Sequence, residues 1–204
     1  MTTLLISILT LGVTLPSPKL VSVGGHDGVE VYQAKTNGPI IELAAVGEFD
    51  APPSQVQAML LDYASYRRFN PNVAESIVLE RRAGVEVVYQ HLKLPMLKDR
   101  DFTLRVVWSE GRASGLTFSI DPARGPAPSA KVVRMTHLSG QWILKPIRGG
   151  RATQAYYQVE LDFSGSVPRW MVAGGAAKDL PNVFIGIRKR LAEQRGSLGA
   201  VSSL

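Results

Sequence analysis

The sequence predicts an α+β fold in which a curved antiparallel sheet wraps around one long C-terminal helix and leaves a hydrophobic cavity between them. Three observations predict it. Residues 74–163 read as strand upon strand, several of them apolar on one side only. Turns between them are short, and one-sided strands with short turns pair antiparallel. Residues 168–194 then carry an unbroken apolar stripe at helical spacing. A sheet that curls around a single helix makes a container.

Residues 4–15, LLISILTLGVTL, are the most hydrophobic run, too short to span a bilayer and followed at once by Pro16-Ser17-Pro18. They read as the core of a secretory signal peptide, although Met1-Thr2-Thr3 carries no cation and no A-x-A cleavage site follows. Residues 1–22 are therefore expected to be a signal peptide or N-terminal extension, which places the protein in the periplasm or outside the cell; the alternative is a cytoplasmic protein with an apolar N-terminal element. Residues 23–196 form the expected ligand-binding domain, and 197–204 a flexible tail.

Within the domain, residues 28–35 and 39–50 read as strands joined at Thr36-Asn37-Gly38. Pro52-Pro53-Ser54 opens a helix over 55–62, and a second short helical piece covers 63–69 before Asn70-Pro71-Asn72 stops it. Strands follow at 74–81, 85–94, 101–109, 115–121, 131–138, 141–146 and 152–163, with 122–130 the longest flexible loop. In 101–109, Phe102, Leu104, Val106 and Trp108 share one face against Asp101, Thr103 and Arg105. In 152–163, Ala155, Tyr157, Val159, Leu161 and Phe163 form the buried face, and Gln154, Tyr156 and Gln158 face water.

On the helix, Ala176, Leu180, Val183, Phe184, Ile187 and Leu191 make the apolar face, with Lys178, Asp179, Arg188, Lys189, Arg190 and Glu193 opposite. Pro168 suits the first turn and Gly196 the stop, while Pro181 is expected to kink or break the helix.

Composition narrows the function. A 204-residue chain that is 45% hydrophobic and 20% charged is a single globular domain, and its lack of cysteine excludes disulfides, thiolate metal sites and a cysteine nucleophile. GxSxG, HExxH, P-loop and dinucleotide-binding patterns are missing, and His26, His91 and His137 stand far apart, so neither metal nor cofactor is expected. The net charge of +6 favours an anionic partner, but the cations are scattered without interleaved aromatics, which argues against nucleic acid. Arg100, at the start of a strand and in phase with Phe102, has two readings: a polar handle for an apolar ligand, or an arginine closing a strand-end salt bridge.

Residues 66–80 (YRRFNPNVAESIVLE), Arg100-Asp101-Phe102, Gly140-Gln141-Trp142 with Pro146, and 166–172 (SVPRWMV) leading to 187–191 (IRKRL) together resemble the START lipid-transfer domain of the steroidogenic-acute-regulatory type. The resemblance covers about residues 28–191 and implies a helix-grip fold whose tunnel holds one lipid or sterol-like molecule. By position it implies pocket residues Tyr66, Phe69, Asn70, His91, Arg100, Val183, Ile187 and Leu191. The inward-facing candidates Val106, Trp108, Phe118, Tyr157, Leu180 and Phe184 complete the expected site, with no catalytic residue. The chain departs from steroidogenic members at His91, where they carry an acid, and at Val106, where they carry a second arginine. The expectation is a monomeric, non-enzymatic carrier that transfers a hydrophobic ligand between membranes and touches their surface transiently through residues 188–190. Ligand exchange is expected to open the turn over 109–114 and the helix around Gly174-Gly175 and Pro181. A polyketide cyclase- or hydrolase-like enzyme on the same fold is the alternative, and a coenzyme-Q-binding helper a third reading.

Overall fold

The strands form one sheet in the order β1-β2-β3-β10-β9-β7-β6-β5-β4, with β8 added parallel to β6. They are β1 (Leu20–His26), β2 (Val29–Ala34), β3 (Ile41–Phe49), β4 (Val73–Arg82), β5 (Val85–Leu92), β6 (Arg100–Ser109), β7 (Gly115–Ile120), β8 (Val133–Arg134), β9 (His137–Ile147) and β10 (Ala152–Asp162). Helix α1 (Pro53–Leu61) and a 3-10 turn (Tyr63–Arg68) follow β3, and α2 (Arg169–Val201) closes the chain. This computed structural model describes residues 19–35, 38–68, 70–94, 97–109, 115–163, 167 and 169–201, with side chains on α2 at 175 and 179–196. The apolar run 4–15 and Thr36-Asn37 lie outside the described residues.

Strand β1 is absent from the sequence prediction. Among its residues only Leu20 is half-buried and the others are exposed, so it shows no inside–outside alternation. It exists because Asp27 (φ 52°) and Gly28 (φ 68°) turn the chain tightly, pairing His26 with Val29; Asp-Gly with both residues at positive φ is the favoured two-residue hairpin turn. The expected strand over 131–138 is corrected too. Only Val133–Arg134 pairs, parallel to Arg100-Asp101, and β9 takes 137–147 as one strand.

Pro53 begins α1, whose buried face holds Val56, Met59 and Leu60. The Gln57 amide donates to the Ser109 and Gly115 carbonyls at 3.2 and 3.3 Å, capping the β6–β7 end of the sheet. Helix α2 runs through Pro181 without interruption and past Gly196 to Val201, because Gly196 does not enter the positive-φ conformation that ends helices. Its C-terminal half is solid core: Phe184, Ile187 and Leu191 are at most 3% exposed. Phe184 stacks on Phe49, centroids 5.3 Å apart, and meets Trp142 at 5.2 Å. A Cβ on Gly47 would lie 2.9 Å from that ring, so only glycine admits it.

Three expected solvent-facing or flexible regions are in fact covered or pinned. On β10, Tyr156 (1% exposed) and Gln154 (4%) are buried, and Tyr156 joins Tyr32, Ala44 and Val46 in a second, smaller cluster on the convex face. On β6, Asp101 and Thr103 lie beneath the segment after β7: Asp121 N donates to Thr103 O, and Arg134 makes two bonds to Asp101, at 2.7 and 2.8 Å. The 122–130 loop is held there, its Pro126 carbonyl accepting from Arg134 and Arg124 reaching Glu80.

Burial alone would raise the Asp101 carboxyl, but the hydrogen bonds and charge of Arg134 and the Tyr89 phenol outweigh it and hold Asp101 below its ordinary value. A carboxyl depressed on folding stabilises fully above its unfolded value, about 3.9, and loses that contribution as pH falls through its lower native value. Urea denaturation at pH 6 and in acid is therefore expected to show Asp101→Asn less stable at pH 6 and less acid-sensitive than the parent; equal acid slopes would show that Asp101 carries no such linkage.

Candidate ligand cavity

Between the concave face of the sheet and the N-terminal half of α2 lies a cavity of about 410 Å³, within the range of pockets that engulf one small organic molecule. Its strand-borne wall comes from alternating positions: Gln90 and Leu92 on β5, Phe102 and Leu104 on β6, Phe118 on β7, Trp142 on β9, and Tyr157, Val159 and Leu161 on β10. Gly175, Asp179, Leu180 and Val183 supply the helix side, and Tyr63, Tyr66, Asn70 and Asn72 the segment after α1. Leu94, Leu97, Phe163 and Val167 line it from the loops after β5 and β10.

Most of this lining is apolar. Phe118 and Tyr157 stack at 6.2 Å, and Trp142 lies 4.5 Å from Tyr157, making an aromatic wall. The polar side chains are three phenols, Asn70, Asn72, Gln90 and Asp179; among the described liners there is no Lys, Arg or His. Burial pushes the Tyr63, Tyr66 and Tyr157 hydroxyls up, so all three stay neutral. Gln90 donates to Ser76 Oγ at 3.1 Å, and Tyr66 to Leu60 O at 2.8 Å. No group of His, Asp and Glu arranged to hold a metal occurs among the described residues.

Of the sequence-predicted site residues, Tyr66, Asn70, Phe118, Tyr157, Leu180 and Val183 line this cavity; Phe69 lies outside the described residues. The others stand elsewhere. His91 follows Gln90 on a strand where Gln90 and Leu92 face inward, so it points to the convex side, its Nε2 2.8 Å from Asp99. Val106 and Trp108 lie further along β6, towards the end capped by Gln57, and pack in the core. Phe184, Ile187 and Leu191 fill the solid half of the interior.

Arg100 points inward as expected, and two of its donors go to backbone: Nε to Phe163 O at 3.1 Å and Nη1 to Lys98 O. It pins the end of β10 to the start of β6, and burial lowers its proton affinity. The cations 188–190 are likewise engaged. Arg188 donates to Glu48 O and Asp27 O, and Arg190 pairs with Asp62 at 3.4 Å, leaving Lys189 exposed. Of the turn expected to open for the ligand, 109–114, residues 110–114 lie outside the described residues; the carbonyls of Ser109 and of the following Gly115 accept from Gln57. Gly175 does line the cavity.

Sequence reasoning overlooked Tyr63, Gln90, Phe102, Leu104 and Trp142 as cavity residues. The signal for Phe102 and Leu104 was present in the β6 alternation.

The profile of the family described as polyketide cyclase / dehydrase and lipid transport matches residues 49–184. An uncharacterized protein of Pseudomonas aeruginosa is 28% identical over 176 residues, 83% of this chain and 85% of that protein. The STAR-related lipid transfer protein of Xanthomonas axonopodis superposes with a TM-score of 0.76 at 23% identity, covering 85% of this chain and 99% of that one. Human STARD10 gives 0.77 at 18% identity, covering 92% and 79%. At these identities the likeness is one of fold, the helix-grip of START domains.

Replacing Arg100 by Leu is expected to lower stability by about 1–3 kcal/mol, because buried carbonyls lose their donor, and to leave the ranking of bound ligands unchanged. Chemical denaturation together with competition binding checks both; a stable variant with altered ligand ranking would make Arg100 a ligand contact instead.

Proposed function

The chain belongs to the polyketide cyclase/dehydrase and lipid transport family, and on that premise we propose that it carries one lipid or other hydrophobic molecule in the cavity and passes it between membranes, without chemical change. The observation that supports this reading is the wall itself: an apolar, aromatic-rich enclosure of about 410 Å³. Removing apolar ligand surface from water supplies about 25 cal/mol per Å², enough to retain such a molecule with a few polar contacts for orientation. With residues 4–15 acting as an export signal, the carrier works in the periplasm. Membrane contact in this reading does not run through the 188–190 cluster, whose two arginines are committed internally.

Mass spectrometry of organic extracts of the purified protein, followed by transfer of the recovered lipid between donor and acceptor vesicles, tests the proposal. Recovery of a chemically converted ligand after incubation would favour the cyclase reading. The division of α2 sharpens the test. Val183→Asp places an unpaired charge on the cavity wall and is expected to weaken uptake of a fluorescent lipid at least about tenfold with the fold retained. Ile187→Asp puts the same charge into solid core and is expected to unfold the protein. Normal uptake by folded Val183→Asp protein would show that this wall does not meet the ligand.

A further inference from the structure

Passing a ligand to a membrane requires a surface that meets one, and the charges single out one end of the sheet. The cavity lies where β5 and β10 finish and β4 and β6 begin: Val73 pairs with Leu92, Leu92 pairs with Arg100, and Arg100 reaches Phe163 O. The segments before β4, after β5 and after β10 all line it, through Asn70 and Asn72, Leu94 and Leu97, and Phe163 and Val167. These six are half-buried and Asp179, on the helix side, is exposed, so the enclosure reaches the surface at this end.

Two of these segments carry four exposed cations beside the lining residues: Arg67 and Arg68 in the 3-10 turn, Lys93 between Leu92 and Leu94, and Lys98 after Leu97. The Lys93 amide donates to Asn72 O at 2.9 Å, which holds the two segments side by side. None of the four cations has an ion-pair partner among the described residues. The one acid within the two segments, Asp99, lies 2.8 Å from His91, while Glu75, Asp162 and Asp179 belong to β4, β10 and α2. The opposite end of the sheet is balanced. There Arg81 pairs with Glu86, Arg148 with Glu48 and Arg195 with Asp50, at 2.6, 2.7 and 3.1 Å.

We propose that this end docks on a bilayer rich in anionic phospholipid, with Arg67, Arg68, Lys93 and Lys98 against the phosphates and Leu94 and Leu97 at the acyl boundary beside the cavity. The proposal rests on the carrier reading and adds the docking face and the charge of the membrane it meets. Cations attract an anionic leaflet one by one, and the attraction fades within a Debye length, so only those standing at the contact count. These four have no internal ion pair to give up on docking. A leaflet of zwitterionic lipid carries no net charge for them to answer. The apolar rim between them suits the boundary below the headgroups, where a ligand would pass from cavity to acyl chains without crossing water.

The test is flotation of the full chain with vesicles of phosphatidylcholine alone or with about 30% phosphatidylglycerol, at about 0.02 and 0.5 M NaCl. Binding is expected to be about tenfold or more tighter to the anionic vesicles at low salt, and to be lost at high salt. Two double reversals, Arg67→Glu with Arg68→Glu and Lys93→Glu with Lys98→Glu, are each expected to weaken it at least about tenfold. Lys145→Glu, an exposed reversal at the opposite end of the sheet, is expected to leave it unchanged. Uptake of a short-chain fluorescent lipid from vesicle-free solution, expected to be unchanged in every variant, shows that fold and cavity are intact. Equal binding to both kinds of vesicle, or a loss in Lys145→Glu as large as in the double reversals, overturns the docking face; with uptake normal, the carrier reading then stands. Charge-dependent flotation lost only in the double reversals, by a parent that takes up no lipid, supports the docking face and overturns the carrier reading.

Discussion

Phe184 lies flat on Phe49 and against Trp142, and it reaches them only because position 47 has no side chain. That contact, with Ile187 and Leu191 behind it, fastens the C-terminal half of α2 to the sheet. Each such side chain removed from water contributes about 1.5–3 kcal/mol, and this surplus offsets the dispersion forgone wherever the interior is left empty. A sheet gripping a helix evenly along its length would enclose no space. By concentrating the packing at one end, the fold frees Leu180 and Val183 to stand over an enclosure instead of a core.

The same economy governs the charges. A chain of net charge +6 suggests a cationic surface, yet three of its arginines act as internal fasteners. Arg100 joins β6 to the end of β10, Arg134 joins the post-β7 segment to Asp101, and Arg188 joins α2 to the β1–β2 turn and the end of β3. Guanidinium suits this work because its planar fork of donors matches carbonyls and carboxylates lying in different directions. Each fastener spans elements distant in sequence, so the charges hold the curvature that local propensity leaves open.

The sheet, its antiparallel pairing and the long final helix were legible in the sequence because each has a period that side-chain chemistry reveals. The α2 stripe was readable from Leu180 to Leu191, but periodicity cannot say where a docked helix meets core and where it meets a void: Val183 and Phe184 are neighbours with opposite fates. Strand β5 defeated the reading for a different reason. Glu86, Val87, Val88, Tyr89 and Gln90 are all buried, since both faces of the strand are covered, so no polar–apolar contrast marked the inward side. One step of parity then separates His91, on the outside, from Gln90, in the cavity. Arg100 was placed on the correct face; the Phe163 carbonyl that accepts from it, 63 residues away at the end of β10, leaves no mark in local sequence. Asp27-Gly28 was the missed signal that would have disclosed β1.

Both outermost strands are irregular. Pairing of β1 with β2 shifts between Ser22 and Gly24, and pairing of β4 with β5 shifts between Val73 and Glu75 and again between Val78 and Glu80. Leu79, 44% exposed, sits in the last of these shifts, and Ile77 beside it is 41% exposed. An open sheet presents its free margins to every other copy in solution, and a straight apolar margin would seed fibrils. Bulges twist the margin and unpair its ladder, so an incoming strand finds no continuous row of amides to copy. The sheet that curves around the cavity thus ends in margins unsuited to endless polymerisation.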